Sequence, residues 1–169
     1  TRRIADLLEG TGCQVLDTRK TTPLIRHLEK WAVQIGGGVN HRTGLYDMIL
    51  IKDNHIDIAG GVVPAIQAVH QYLQSNQLDL PIVVETRNLE EVQAVLQIGG
   101  ITRILLDNMS PELQKAAVQL INGKFPTEAS GNITEVNLRS KAESGVNFIS
   151  MGALTHSVSS IDISFKIQL

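Results

Sequence analysis

Ile82-Val83-Val84-Glu85 and Ile104-Leu105-Leu106-Asp107-Asn108 are the stretches whose reading decides the fold. Each is a short apolar run that stops at a carboxylate. Two later runs stop at small or hydroxylated residues: Phe125-Pro126-Thr127-Glu128-Ala129-Ser130-Gly131-Asn132 and Phe148-Ile149-Ser150-Met151-Gly152. The ends recur almost evenly: Glu85 to Asp107 is 22 residues, Asp107 to Ser130 is 23, and Ser130 to Gly152 is 22. That interval suits one buried strand, one helix and two loops. Such a repeat predicts a parallel sheet whose strand C-termini share one edge, where folds of this kind bind and react. Three earlier runs fit the scheme: Val15-Leu16-Asp17-Thr18-Arg19-Lys20, Gly38-Val39-Asn40-His41-Arg42 and Met48-Ile49-Leu50-Ile51-Lys52-Asp53-Asn54. At this spacing 169 residues hold six or seven units, short of the eight in a closed barrel. The expected fold is therefore α/β, an open TIM-like barrel of six to seven parallel strands, with residues 1–169 forming one domain.

Strands are expected at 13–18, 48–51, 82–85, 103–107, 125–129 and 146–151, with a polar loop or short strand over 39–47. A helix end is expected over 1–9, with Ile4, Leu7 and Leu8 on one face. Pro23 suits a helix start, and Leu24, Leu28, Trp31, Ala32 and Ile35 follow at helical spacing until Gly36-Gly37-Gly38. Further helices are expected over 61–75, 88–98, 111–122 and 134–144, with Asn88, Ser110 and Thr134 as N-caps. Wholly apolar strands predict a sheet covered on both faces. Lys141 lies three residues after Leu138 on the expected inner face of its helix, either snorkelling along the core edge or at a solvent edge.

The bulk numbers exclude several classes. A net charge of -2 leaves no basic surface for nucleic acid. Cys13 is the sole cysteine, so neither a disulfide framework nor a cysteine metal site is available, and a reducing, cytoplasmic setting is expected. No run reaches the length of a membrane span and no signal peptide opens the chain. The chain starts at Thr1, without Met, inside an expected helix, and is read as part of something longer. The five histidines show no zinc spacing, and His27 and His70 read as helix-surface residues. Gly36-Gly37-Gly38 matches neither the dinucleotide nor the P-loop pattern.

Three chemical groups collect at the strand ends. Arg19, Lys20, Arg42 and Lys52, with His41 and His55 nearby, would form a pocket for a strongly anionic ligand, because guanidinium and ammonium groups match carboxylate and phosphate. The competing reading makes them surface ion pairs with Asp17, Asp53 and Asp57. Arg19 and Lys20 are neighbours and can share a pocket only if the chain is already leaving the strand there. Glu85 and Asp107 stand on successive strands about 5 Å apart and could approach one Mg2+ together with ligand oxygens. Alternatively they cap helices or pair with Arg87 or Arg103. Ser130-Gly131-Asn132 and Ser150-Met151-Gly152-Ala153, the latter followed by Thr155 and His156, are small-residue turns whose N–H groups suit phosphate at a helix start.

Taken together, Asp17-Thr18-Arg19-Lys20-Thr21-Thr22-Pro23, Gly37-Gly38-Val39-Asn40-His41-Arg42, Ile51-Lys52-Asp53-Asn54-His55, Val84-Glu85, Leu106-Asp107-Asn108, Glu128-Ala129-Ser130-Gly131-Asn132 and Gly152-Ala153-Leu154-Thr155-His156-Ser157 closely resemble the quinolinate phosphoribosyltransferase family. The match runs in order through nearly the whole chain. The resemblance implies the family's C-terminal open barrel and its step of NAD biosynthesis: quinolinate and phosphoribosyl pyrophosphate give nicotinate mononucleotide, pyrophosphate and CO2, with Mg2+. It implies that Thr18, Arg19, His41, Arg42 and Lys52 bind substrate, Arg19, His41, Arg42 and Lys52 holding the two quinolinate carboxylates. Lys20 would lie between substrate and pyrophosphate. Glu85 and Asp107 would bind ribose hydroxyls and Mg2+. Ser130, Gly131, Asn132, Met151, Gly152, Ala153 and His156 would line the phosphate side. Lys20, Lys52, Glu85 and Asp107 are then the catalytic candidates.

The family also implies a homodimer or higher oligomer and an N-terminal domain, absent from this chain, that covers the partner's barrel mouth and donates an arginine. Two positions depart from the pattern: Leu24, where the family usually has glycine, and Lys141, usually apolar or aromatic. Three other readings stay open: a phosphoribosyltransferase with another acceptor such as nicotinate, an aldolase-like barrel with Lys52 as Schiff-base lysine, and a non-catalytic barrel that only binds phosphate.

Overall fold

A computed structural model describes residues 1–157 and 162–167. Six parallel strands form one sheet: β1 (Gln14–Leu16), β2 (Ile49–Ile51), β3 (Ile82–Thr86), β4 (Arg103–Asp107), β5 (Thr127–Ser130) and β6 (Phe148–Ser150). Their spatial order is β1-β6-β5-β4-β3-β2. The first and last strands are therefore neighbours, and the sheet is a barrel with one seam open between β1 and β2. Val39 adds a rudimentary seventh strand, bridging in parallel to Leu16 at that seam. The helices are α1 (Arg2–Leu7), α2 (Arg26–Ile35), α3 (Asp53–Ala59), α4 (Val62–Ser75), α5 (Leu89–Ile98), α6 (Pro111–Ile121) and α7 (Glu135–Ala142).

The strands alternate in what they face. Val15, Ile51, Val84, Ile104, Leu106, Ala129 and Ile149 join the apolar core beneath the helices. The intervening positions, among them Leu105, Glu85, Asp107, Glu128, Ser130 and Ser150, line the barrel interior. With a period of two, a strand such as Arg103–Asp107 sends Ile104 and Leu106 to the helices and Leu105 and Asp107 inward. Both faces are covered, so the runs are apolar throughout.

The expected caps form. Asn88 Oδ1 accepts from Glu91 N–H at 2.8 Å and Ser110 Oγ from Leu113 N–H at 3.2 Å. Thr134 starts α7, with Asn137 returning to the Thr134 N–H. These bonds satisfy donors that a helix start leaves unpaired.

Four expectations need correction. First, α2 starts at Arg26, three residues after Pro23, because Leu24 takes a left-handed φ of 71° that cannot continue into a helix. Second, the apolar positions of α2 point outward: Leu28, Trp31 and Ile35 are exposed, while Lys30 and Val33 are buried. The inner face is chosen by Asp17, which draws Lys30 in. Third, α3 was not expected; it begins directly after Lys52, whose N–H is accepted by His55 Nδ1 at 2.9 Å. Fourth, Lys141 is not at a solvent edge. Its ammonium is buried and donates to the Met109 carbonyl at 2.7 Å, and burial lowers its pKa. His27 is on the helix surface as expected, whereas His70 is half-buried with its ring 2.8 Å from the Gly100 carbonyl.

Candidate active site

A cavity of about 790 Å³ opens at the C-terminal ends of the strands. Thr18, Arg19, Lys20, His41, Arg42, Lys52, Glu85, Asp107, Ser130, Gly131, Asn132, Gly152, Ala153 and His156 all line it. Met151 does not. Its side chain is buried in the core on the outer face of the sheet, and its N–H donates to the Leu16 carbonyl at 2.9 Å. It follows Ser150, which faces inward, so the strand period turns it away. His55 also stays outside, exposed and turned back onto the Lys52 N–H.

Arg19, Lys20 and Arg42 form no ion pair among the described residues, whereas Lys52 pairs with Glu85. β1 ends at Leu16, so Arg19 and Lys20 lie beyond the strand and both reach the cavity. Asp17 pairs with Lys30, and Asp57 pairs with Arg87, leaving neither for Arg19. The Arg19 side chain makes no hydrogen bond or ion pair among the described residues, and its Nε is buried without a partner. Arg42 donates to the Met48 carbonyl at 3.0 Å. Burial and then the positive charge of Arg19 lower the Arg42 pKa. Asp47 opposes that lowering without cancelling it, and neither arginine forms a salt bridge among the described residues. Such a site is costly without an anion and favourable with one.

Glu85 and Asp107 escape the arginines as well. Arg87 is held by Asp57 and Glu91, and Arg103 by Glu128 at 2.8 Å. Glu85 is buried and engages Lys52 Nζ at 3.3 Å and the Asp53 N–H at 3.4 Å. Asp107 accepts from Asn108 Nδ2 at 2.6 Å. Among the described residues no cluster of three or more His, Cys, Asp or Glu could hold a metal by itself. Glu85 lies opposite Leu105, two residues short of Asp107 in the register, so each carboxylate could serve Mg2+ as one of the one or two protein ligands it commonly takes, ligand oxygens completing the shell.

The two small-residue turns sit close against neighbouring side chains. Gly131 has φ 89°, and a Cβ there would lie 2.1 Å from Asn108 Oδ1. A Cβ on Gly152 would lie 2.7 Å from the His156 ring. Asn132 Nδ2 donates to Asn108 Oδ1 at 3.0 Å, joining this turn to the one after Asp107. Thr155 Oγ1 donates to the Lys20 carbonyl at 2.8 Å, joining the last turn to the cationic loop. The first turn leads into α7 through Thr134 as expected. The second leads only into one 3-10 turn, Gly152–Leu154.

Several contacts around the cavity were not among those expected from the sequence. Glu128 is fully buried beneath it, shared between Arg103 at 2.8 Å and His41 Nε2 at 3.4 Å. Burial alone would raise the Glu128 carboxyl; the bond from His41, then that from Arg103, outweighs burial and holds it below its ordinary range. Arg103 also stacks 4.2 Å from the Phe148 ring centre. His41 Nδ1 accepts from the Arg42 N–H at 2.7 Å, so both ring nitrogens are engaged within the protein. Asp17 and Lys30 form a second buried pair. Burial raises the Asp17 carboxyl, and Lys30 and the His41 N–H pull it back. Period-two spacing from Ser130 could have found Glu128. Nothing local could have paired Asp17 with Lys30.

The fold and the site define a parallel α/β barrel domain that gathers cations, two carboxylates and two phosphate-type turns at its strand C-termini. The family model described as quinolinate phosphoribosyl transferase, C-terminal domain, matches residues 1–166, and the chain belongs to that family. It is 53% identical over 168 residues to "Nicotinate-nucleotide pyrophosphorylase [carboxylating], chloroplastic" of Arabidopsis thaliana, covering 91% of this chain and 48% of that protein. It is 52% identical over 182 residues to "Quinolinate phosphoribosyltransferase [decarboxylating] 2, mitochondrial" of Nicotiana glauca, covering 99% and 51%. Among solved structures, the nicotinate-nucleotide pyrophosphorylase of Francisella tularensis superposes with a TM-score of 0.86 at 41% identity, covering 96% of this chain and 56% of that one. The chain spans about half the length of the curated relatives it matches.

Proposed function

We propose that this barrel carries the active site of a quinolinate phosphoribosyltransferase, which joins quinolinate to phosphoribosyl pyrophosphate and releases pyrophosphate and CO2. One observation carries the reading: Arg19 and Arg42 line one cavity, neither forms a salt bridge to a carboxylate among the described residues, and Arg19 Nε is buried without a partner. A ligand with two adjacent carboxylates supplies the missing charge, and Lys52 stands on the same wall.

Quinolinate is held by Arg19, Arg42 and Lys52, so that its ring nitrogen faces the anomeric carbon of the ribose. The C–N bond forms as the C–O bond to pyrophosphate breaks. Positive charge develops on the sugar, and Glu85 and Asp107 stabilise it and orient the ribose hydroxyls. Lys20 and the turns at Ser130-Gly131-Asn132 and Gly152-Ala153 receive phosphate oxygens. The ring nitrogen then bears a positive charge. The C–C bond to the adjacent carboxylate breaks, CO2 leaves, and the electron pair remaining on the ring is quenched by one proton. Glu85 and Asp107 would hold Mg2+, which supplies charge neutralisation for the departing pyrophosphate.

His41 is better suited to holding Arg42 than to binding a carboxylate, since its ring is already bonded on both sides. Assembly as a homodimer or larger oligomer is supported by the exposed Leu24 and, along α2, the exposed Leu28, Trp31 and Ile35. No helix is long and apolar enough to cross a membrane among the described residues. The single buried thiol of Cys13 supports a reducing compartment, cytoplasmic or, as in the two plant relatives' names, within an organelle.

Calorimetric titration of the full-length protein with quinolinate, against nicotinate as control and with Mg2+ present, tests the reading. Selective quinolinate binding followed by CO2 release on adding phosphoribosyl pyrophosphate is the expected result. Equal binding of both acids would favour a monoacid acceptor, and phosphate binding without turnover would favour a non-catalytic barrel.

A further inference from the structure

Asp17 and Lys30 lie outside the cavity lining, yet they are among the most buried charged groups described, 0% and 3% exposed. Lys30 Nζ stands 2.5 Å from Asp17 Oδ1. The pair is not closed on itself. Lys30 Nζ also donates to the His41 carbonyl at 2.9 Å, and the His41 N–H donates to Asp17 Oδ1 at 2.8 Å. Asp17 Oδ2 and the Lys30 carbonyl can only accept, so the Asn40 amide turns its nitrogen inward and donates to them at 2.7 and 2.9 Å. The same segment is stitched to β1 by Val39 N–H to Val15 O at 2.9 Å and Asp17 N–H to Val39 O at 3.2 Å.

The two charges therefore grip both backbone groups of His41 and the side chain of Asn40. That segment has no long strand of its own: a single bridge at Val39 is all the sheet offers it. It delivers Arg42 to the pocket. Asp17 itself lies two residues before Arg19, on the same strand end. One buried pair is thus the common anchor of both guanidinium groups that face the ligand.

We infer that Asp17 and Lys30 are positioning residues whose buried pair fixes the spacing of Arg19 and Arg42, and with it the preference for a dicarboxylate over a monocarboxylate. The inference rests on the proposed acceptor for its specificity half and on geometry alone for its positional half. A buried ion pair adds little to stability compared with an apolar pair of the same size, so conformational definition is the stronger reason for having one.

The test compares the full-length protein with Lys30→Met and with the neutral double variant Asp17→Asn/Lys30→Met, which leaves no unpaired buried charge if the single variant does not fold. Two quantities are read. Amide hydrogen exchange at His41 and Arg42 should accelerate at least about 10-fold, while amides of β3 and β4 keep their protection. The KM for quinolinate should rise about 10-fold with the KM for phosphoribosyl pyrophosphate unchanged, and the binding preference for quinolinate over nicotinate should shrink with it. A merely structural role would lower the melting temperature and the active fraction without moving that ratio. Unchanged protection at His41 overturns the inference, as does lost protection with an unchanged quinolinate preference. If the parent protein does not bind quinolinate, the proposed function fails instead, and the positional claim is decided by the exchange result alone.

Discussion

Lys52 Nζ lies 3.3 Å from Glu85 Oε2, so the pocket holds one of its cations against one of its carboxylates. Lys52 directly follows β2 and Glu85 lies on β3, and the two strands are paired in register up to Ile51 and Val84. Glu85 is buried and Lys52 half-exposed, which leaves the lysine free to swing toward an incoming anion. Ligand binding would divide the pair, giving Lys52 to the acid and Glu85 to the ribose. Lys52→Ala is expected to lower turnover by roughly 100-fold, the scale seen when one charge-stabilising donor is removed. Its stability should fall by about 1–3 kcal/mol, since the buried Glu85 loses one of its two donors. Steady-state rates alongside urea unfolding check both parts, and unchanged turnover would remove Lys52 from the site.

Leu24 occupies a glycine-type conformation, with φ 71° and its side chain fully in solvent. The turn is retained and the residue in it is strained. Leu24→Gly relieves a left-handed penalty of about 1–2 kcal/mol and adds back about 0.5–1 kcal/mol of chain entropy. A small net gain in stability is expected, read as a higher denaturation midpoint at unchanged slope. A lower midpoint would mean that the leucine makes contacts in solution that outweigh the strain.

Glu128 makes acid stability local. Its folded carboxyl is held below its ordinary range by His41 and Arg103, against the effect of burial. A carboxyl depressed on folding contributes stability that is fully present above its unfolded pKa and is lost as pH falls through its folded one. Thermal melts taken from about pH 5 down to pH 3, below the ordinary glutamate value of 4.5, should therefore drop more steeply for the parent than for Glu128→Gln. The variant should also melt lower at pH 7, because Arg103 loses its counter-charge. Parallel pH profiles would show that Glu128 does not govern the acid limb.

Cys13 should be inert while the protein is folded. Burial pushes its thiol up to about 12, so almost no thiolate exists near neutrality. Disulfide-exchange labelling at pH 8 is expected to run at least about 100-fold slower in the native protein than in denaturant. Rapid native labelling would show that β1 opens readily at its start.

Much of this protein was determined by its sequence alone, because the deciding signals are local. Runs such as Ile104-Leu105-Leu106-Asp107 carry strand, cover and pocket residue in one alternation. Asn88, Ser110 and Thr134 cap helices with side chains that reach only three residues onward. The even spacing of strand ends brought nearly every candidate residue to one edge; Met151 was misplaced by a single step of the same alternation, and His55 by the unexpected start of α3. Tertiary structure decided the rest. The outward turn of α2, the Asp17–Lys30 anchor, the Arg103–Glu128–His41 chain and the buried Lys141 all depend on partners between 11 and 87 residues apart. The physical reason is common to them. A buried charge is tolerable only where its partner arrives, and that meeting is fixed by how the sheet curls, not by any pattern within a turn of helix or a length of strand.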